Sequence, residues 1–132
     1  LRERLERKAD SRVDYVVREL RRTLATGAGA CREARRLREA LDSLGALGPH
    51  FTVAHGVWLD HDDMKRLGDH GASVAHNPGS NMRLGSGLAD TRAMLERRVN
   101  LGIGTDGANC ADNQNMYEAM RLASFVSKVQ GP

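Results

Sequence analysis

The chain has 132 residues, a length that suits one hydrophobic core rather than two. Hydrophobic residues make up 40%, and no apolar run approaches the roughly 20 residues that a membrane-spanning helix needs. A net charge of +3 from interleaved acids and bases, with only 4% aromatic residues, argues against nucleic-acid binding. Cys31 and Cys110 have no CxxC spacing, which predicts thiols, and we expect a cytoplasmic protein that enters no membrane.

Residues 1–50 have the pattern of amphipathic helices. Apolar residues recur at steps of three to four from Leu1 to Leu24, and a second such stripe runs from Ala34 to Leu44. Gly45 follows this stripe and predicts the end of the second helix. We interpret residues 1–50 as a helical N-terminal segment of uncertain origin.

Residues 51–132 alternate short apolar strands with helices, and this order predicts parallel strands joined by crossover helices. Strands are expected at Phe51–Ala54, Ser73–Ala75 and Val99–Ile103. Asp60 and Asp90 are expected to cap helices, and a long Gly/Ser/Asn loop is expected before Asp90. The side chains predicted to be buried by these helices and by the last one are Met64, Leu67, Met94, Leu95, Met116, Met120, Ala123 and Val126.

Each predicted strand ends on a side chain that can bind a metal or move a proton, namely His55, His76 and Asp106. The carboxyl ends of parallel strands meet at one edge of the sheet, where α/β proteins build their sites. One such histidine alone is more often a core residue, but three successive strand ends favour a site. The other histidines, at positions 50, 61 and 70, are expected to be exposed.

Four ordered segments resemble the amidohydrolase superfamily, in the branch that includes adenosine-type and guanine-type deaminases and triazine hydrolases. They are AHGVWL at residues 54–59, AHNPGSNMRLGSG at 75–87, GIGTDGA at 102–108 and the helix NMYEAMRLA at 115–123. The resemblance covers about residues 41–126. It implies an α/β fold, the last three parallel strand-helix units of a TIM-type (β/α)8 barrel. The resemblance implies that residues 51–132 hold strands six to eight. A whole barrel of this type takes about 250 residues or more, so 132 residues would hold less than half of its strands.

The resemblance also implies roles for five residues of this chain. Asp106 matches the aspartate that binds a divalent metal, zinc or iron, and shuttles a proton. His55 matches a histidine that polarises the substrate or orients the attacking water. His76 and Asn77 match a turn that either contacts the substrate or shapes the loop, and Trp58 either lines the pocket mouth or packs.

Two metal-binding motifs of that branch, the His-x-His pair of strand one and the His-to-Glu motif of strand five, are missing here. The five histidines contain no i, i+2 pair, and residues 26–30 offer no side-chain ligand where the strand-five motif would fall. A zinc site with three protein ligands could then be built only from His55, His76 and Asp106, which is an alternative to Asp106 as the single ligand.

Two functions remain open. The first is a metal-dependent hydrolase of deaminase or chlorohydrolase type, which acts on non-peptide carbon–nitrogen bonds of a small heterocyclic substrate, with this chain as one part of it. The second is a non-catalytic remnant that keeps the fold, binds no metal and turns nothing over. In either case the open sheet edge predicts self-association unless the N-terminal helices cover it.

Several glycines lie in the segments that carry the predicted site residues. Residues 102–107 satisfy the dinucleotide-binding pattern GxGxxG, but Asp106 would place a negative charge where pyrophosphate binds, so we regard the match as fortuitous. Gly79, Gly85 and Gly87 are expected to serve a loop that needs positive φ angles.

Overall fold

A computed structural model describes residues 41–130 of the chain. The chain divides into two compact units, Leu1–Ala46 and Leu47–Pro132. In the first unit the described residues are helical as far as Ser43, and Gly45 with φ of 64° ends the helix as predicted. The remainder of the predicted N-terminal helices, with Cys31, lies outside the described residues.

The second unit is built on three parallel strands, β1 (Thr52–Ala54), β2 (Ser73–His76) and β3 (Asn100–Ile103). They lie in the order β1-β2-β3, so β2 is central. In the strand register, Val74 pairs with Val53 of β1 and with Leu101 of β3. The predicted α/β class and parallel connections are therefore confirmed, and all three strands end at the same edge of the sheet.

Helix α1 (His61–Asp69) connects β1 to β2 and begins at a capping box. The Asp60 carboxylate accepts from the Asp63 backbone N–H at 2.9 Å, and the Asp63 carboxylate accepts from the Asp60 N–H at 3.0 Å. This satisfies two backbone donors that have no partner within the helix. Met64 and Leu67 are buried, as their spacing predicted.

Two short helices, α2 (Pro78–Arg83) and α3 (Thr91–Glu96), separate β2 from β3. The expectation of a plain loop before Asp90 was wrong, because α2 occupies its first part with a proline at its first position. Asp90 caps α3 through the Ala93 N–H at 2.9 Å, as predicted. Met94 is buried, but Leu95 is 60% exposed, since consecutive helical residues point about 100° apart.

The short helix α4 (Ala108–Ala111) and the longer α5 (Met116–Val129) follow β3. Asn115 caps α5 by accepting from the backbone N–H groups of residues 117 and 118. Ala119 and Val126 are buried, whereas Met116 and Met120, which were expected inward, are exposed. The helix carries two apolar stripes at helical spacing, and only the one through Ala119 and Val126 faces inward.

The hydrophobic core lies between the sheet and helices α1 and α3. Its fully buried members come from both helices, from β2 and from the adjoining turns, and are Met64, Leu67, Ala72, Val74, Ala89, Ala93, Met94 and Val99. Within residues 41–130, no helix combines the length and apolar character needed to cross a bilayer. Cys110 is a free, half-buried thiol, as expected.

Candidate active site

His55 and Asp106 leave their strands through unusual backbone conformations. His55 follows β1 with φ of 68°, and Asp106 follows β3 with φ of 59°. The His55 N–H still donates to the Ala75 carbonyl at 2.8 Å, so the turn begins directly at the end of the parallel ladder. Left-handed backbone in a residue other than glycine costs about 1–3 kcal/mol and is concentrated at functional sites.

The two side chains meet at the carboxyl edge of the sheet, where His55 Nε2 lies 3.8 Å from Asp106 Oδ2. Both remain partly open to solvent, with 40% of the His55 side chain and 28% of the Asp106 side chain exposed. Hydrogen bonds from the Ser80 hydroxyl and from the Gly107 N–H, together with the nearby His55 ring, lower the pKa of Asp106. The carboxylate is therefore ionised and accessible at neutral pH.

Helix α2 supplies a hydrogen-bond partner to each member of this pair. Asn81 Oδ1 lies 2.8 Å from His55 Nδ1, and the Ser80 hydroxyl bonds to Asp106. Ser80 and Asn81 are each 1% exposed. Neither Ser80 nor Asn81 was predicted from the sequence as a site residue. Pro78, a residue favoured at the first position of a helix, is the signal that could have indicated a helix carrying Ser80 and Asn81 at this edge.

His76 does not join the His55–Asp106 pair. It lies on the same face of β2 as Val74 and is 1% exposed. Neither ring nitrogen has a hydrogen-bond partner within the described part of the chain. Burial, with a smaller contribution from His55, lowers the pKa of His76, so the folded chain holds it neutral.

The depressed pKa of His76 predicts that the chain loses stability in mild acid. Below a pH of about 6.5 the unfolded state binds a proton at His76 that the folded state does not, so the free energy of unfolding falls as the pH falls. We expect up to about 1.4 kcal/mol per pH unit from this residue. Urea unfolding between about pH 8 and about pH 5 measures the slope. The slope should flatten in His76→Gln but not in the exposed-residue control His61→Gln; equal slopes in wild type and His76→Gln would contradict the assignment.

Asn77 connects the ends of β2 and β3. It is 7% exposed, and its amide donates to the Ala75 carbonyl at 3.2 Å. Its Oδ1 atom lies so close to Gly104 that a Cβ added there would overlap it. Asn77 therefore packs against the chain that follows β3, and glycine at position 104 allows this close approach. The backbone bond from the Gly104 N–H to the His76 carbonyl, 2.9 Å long, joins the two strand ends.

Trp58 is 80% exposed, so it is not packed within the described residues, and the alternative that it lines the mouth of a pocket stays a prediction. It lies at the rim formed by the loop after α2, where a Cβ on Gly87 would be 3.7 Å from its ring. Gly87 and Gly85 have φ of 114° and 63°, as expected, whereas Gly79 lies inside α2 and needs no positive φ. The remaining histidines, at 50, 61 and 70, are exposed as predicted.

Metal binding is supported by one side chain rather than three. Among residues 41–130, no three His, Cys, Asp or Glu side chains come close enough to hold an ion, so His55, His76 and Asp106 do not form the three-ligand alternative. Asp106 offers an ionised, accessible carboxylate, a ligand that suits divalent metals. Within residues 41–130, Asp106 is therefore the side chain of the predicted set that could serve as a ligand, which fits a metal centre completed by residues from elsewhere.

Comparison with known proteins identifies the family. The model of the amidohydrolase family matches residues 18–131. The chain belongs to the amidohydrolase family. The match begins well upstream of residue 41, where the resemblance was expected to start, so part of the N-terminal segment matches the family as well.

Two curated relatives that resemble this chain are deaminases. The chain is 49% identical over 89 residues to 5-methylthioadenosine/S-adenosylhomocysteine deaminase of Thermococcus kodakarensis, covering 67% of this chain and 21% of the relative. It is 42% identical over 91 residues to 5'-deoxyadenosine deaminase of Methanobrevibacter smithii, covering 69% and 21%. The chain therefore spans about a fifth of the length of the relatives it matches.

Solved structures place the same region in the amidohydrolase barrel. An adenosine deaminase from Xanthomonas campestris with bound zinc matches with a TM-score of 0.67 and 31% identity, covering 74% of this chain and 21% of that one. Guanine deaminase of E. coli matches with a TM-score of 0.64 and 32% identity, covering 70% and 21%. The fold is thus part of a TIM-type barrel, as the resemblance implied.

Proposed function

We propose that this amidohydrolase chain forms part of a metal-dependent hydrolase that removes an amino group from a small aminopurine-type heterocycle. The observation that carries the proposal is the approach of His55 Nε2 to Asp106 Oδ2, 3.8 Å apart at the carboxyl edge of the sheet. A base and an acid–base partner within this distance, both reachable from solvent, suit proton transfer to and from a bound substrate. The deaminase relatives support the carbon–nitrogen bond as the one cleaved.

Asp106 would hold the metal and carry the proton in this proposal. Zinc is our choice because a structurally similar adenosine deaminase is described with bound zinc. When bound, such a metal supplies the Lewis acidity that makes water a nucleophile near neutral pH. Asp106 is ionised, so its carboxylate can accept a proton from the attacking water and later return it to the leaving nitrogen.

His55, together with three other residues of this edge, would bind and orient the substrate. The part-exposed Nε2 of His55 can orient the attacking water or polarise the ring atom that is attacked. The exposed indole of Trp58 offers a face on which a heterocycle can stack at the rim. His76 and Asn77 are buried. We propose that they belong to the substrate site by supporting the strand end beneath the bound substrate rather than by facing solvent.

A chimeric enzyme tests this function. The matching 89-residue segment of this chain would replace the corresponding fifth of the Thermococcus kodakarensis deaminase, whose remaining strands would complete the barrel. We expect the chimera to bind zinc and to release ammonia from aminopurine nucleosides, measured by metal analysis and a coupled ammonia assay. The unmodified deaminase is the positive control. A folded chimera that holds zinc but shows no turnover toward any aminopurine would favour the non-catalytic remnant instead.

Three further expectations from the sequence stay predictions. They are a cytoplasmic location, no binding of nucleic acid, and self-association of the isolated chain through its open sheet edges. The described strands support the last of these, because β1 and β3 each have a single partner within the sheet.

A further inference from the structure

Two consecutive buried residues of α2 reach the site residues on the two strands that flank β2. Asn81 contacts His55 after β1, and Ser80 contacts Asp106 after β3. Because α2 follows the central strand, it stands between the two ends that it joins. Both side chains are 1% exposed, so bulk water does not compete for their hydrogen bonds.

The position of Asn81 is set independently of His55. Its N–H donates to the Asn77 carbonyl at 3.0 Å, and its carbonyl accepts from the Ser86 N–H at 2.9 Å. At the end of the same helix, Arg83 donates to the Asn109 carbonyl at 2.7 Å and pairs with Asp112 at 2.9 Å. The backbone of Asn81 is therefore held in place by α2 and by the segment after β3. Its side-chain Oδ1 contacts His55, whereas its buried Nδ2 has no hydrogen-bond partner within the described part of the chain.

The contact with Asn81 decides which nitrogen of the His55 ring carries the proton. A neutral imidazole has one N–H donor and one acceptor nitrogen, and the hydrogen bond made by one nitrogen sets the state of the other. With Asn81 Oδ1 accepting at 2.8 Å, Nδ1 of His55 is the donor. Nε2 then carries the free lone pair, and it is this nitrogen that faces Asp106.

We propose that Asn81 is a positioning residue that holds His55 as the Nδ1–H tautomer, with the Nε2 lone pair presented toward Asp106 and the substrate. The use of that lone pair in catalysis rests on the proposed function. The tautomeric state of the His55 ring does not depend on the proposed function, because it can be measured without metal and without turnover.

Nuclear magnetic resonance of the ¹⁵N-labelled 132-residue chain tests the proposal. Long-range proton–nitrogen spectra at about pH 9, above the range in which free imidazole is charged, distinguish a protonated ring nitrogen from an unprotonated one. His55→Gln identifies the His55 signals among the five histidines. We expect a pyrrole-type Nδ1 and a pyridine-type Nε2 in the wild type, and a shift toward the reverse pattern in Asn81→Ala, as free imidazole prefers Nε2–H.

Two further variants separate positioning from a general effect on the fold. Asn81→Asp keeps an oxygen acceptor and should keep the wild-type pattern. Asn100→Ala removes a different side-chain amide, one that donates to Ser73 Oγ at 2.7 Å, and should leave the His55 ring unchanged. Backbone amide spectra report whether each variant is folded. A wild-type Nε2–H tautomer, or an unchanged ring in folded Asn81→Ala, would overturn the proposal; should Asn81→Ala unfold, loss of the wild-type pattern in folded Asn81→Asp would do the same.

Discussion

Replacing Asp106 by Asn in the chimeric deaminase is expected to lower kcat/KM by about 1,000-fold, the middle of the usual range for loss of a general acid–base group. The substitution keeps the size of the side chain and removes its negative charge. Asn cannot accept the proton of the attacking water, and it is a weaker ligand for a divalent metal. Steady-state deamination rates and the zinc content of the purified variant measure both effects.

Asp112→Asn provides the matched control for this prediction. Asp112 belongs to the same stretch and also has left-handed backbone, with φ of 66°, but its side chain is 69% exposed and pairs with Arg83. An exposed ion pair contributes little, so we expect the control to stay within about threefold of the parent rate. Asp106→Asn with normal activity and normal zinc content would remove Asp106 from the mechanism.

The edge at which the site forms could be predicted because it depends on strand order alone. Strands that alternate with helices must run parallel, and residues that end such strands must share an edge, which brings His55 and Asp106 together. The rule that strand ends share an edge also predicted that His76 would lie beside His55 and Asp106. Side chains alternate along a strand, however, so the His76 side chain lies on the same face as Val74. Alternation could have been applied to the sequence once the end of β2 was known to lie at residue 76.

Helix α2 was not predicted because its start signal, Pro78, is followed by residues that mostly have weak helical preference. Glycine, serine and asparagine dominate its sequence, and each favours turns over helix when local propensity alone decides. The contacts that stabilise α2 come from other parts of the chain: from His55 to Asn81, from Asp106 to Ser80, and from Asp112 to Arg83. The contacts that support α2 therefore come from segments distant in the sequence, and the pattern of residues 78–83 alone does not reveal them.

Gly68→Ala is expected to destabilise the chain by about 2 kcal/mol or more, in the range usual for overpacking. Gly68 lies inside α1, where alanine would ordinarily stabilise a helix by about 1 kcal/mol. A Cβ at this position, however, would overlap the carbonyl oxygen of Arg97, at the end of α3. Because the obstacle is backbone, the two helices that cover the core would have to separate, which would expose part of the core cluster that includes Met64 and Met94.

Gly79→Ala isolates the effect of this close approach. Gly79 also lies in a helix, but a Cβ there would meet only Ala111 and Leu122 at ordinary distances of 3.6 and 3.7 Å. The substitution should therefore be neutral or should stabilise the chain by up to about 1 kcal/mol, in the direction opposite to Gly68→Ala. Urea unfolding of both variants beside the wild type gives the two differences. Equal effects in the two variants would mean that helix propensity, and not the contact between α1 and α3, decides the stability at Gly68.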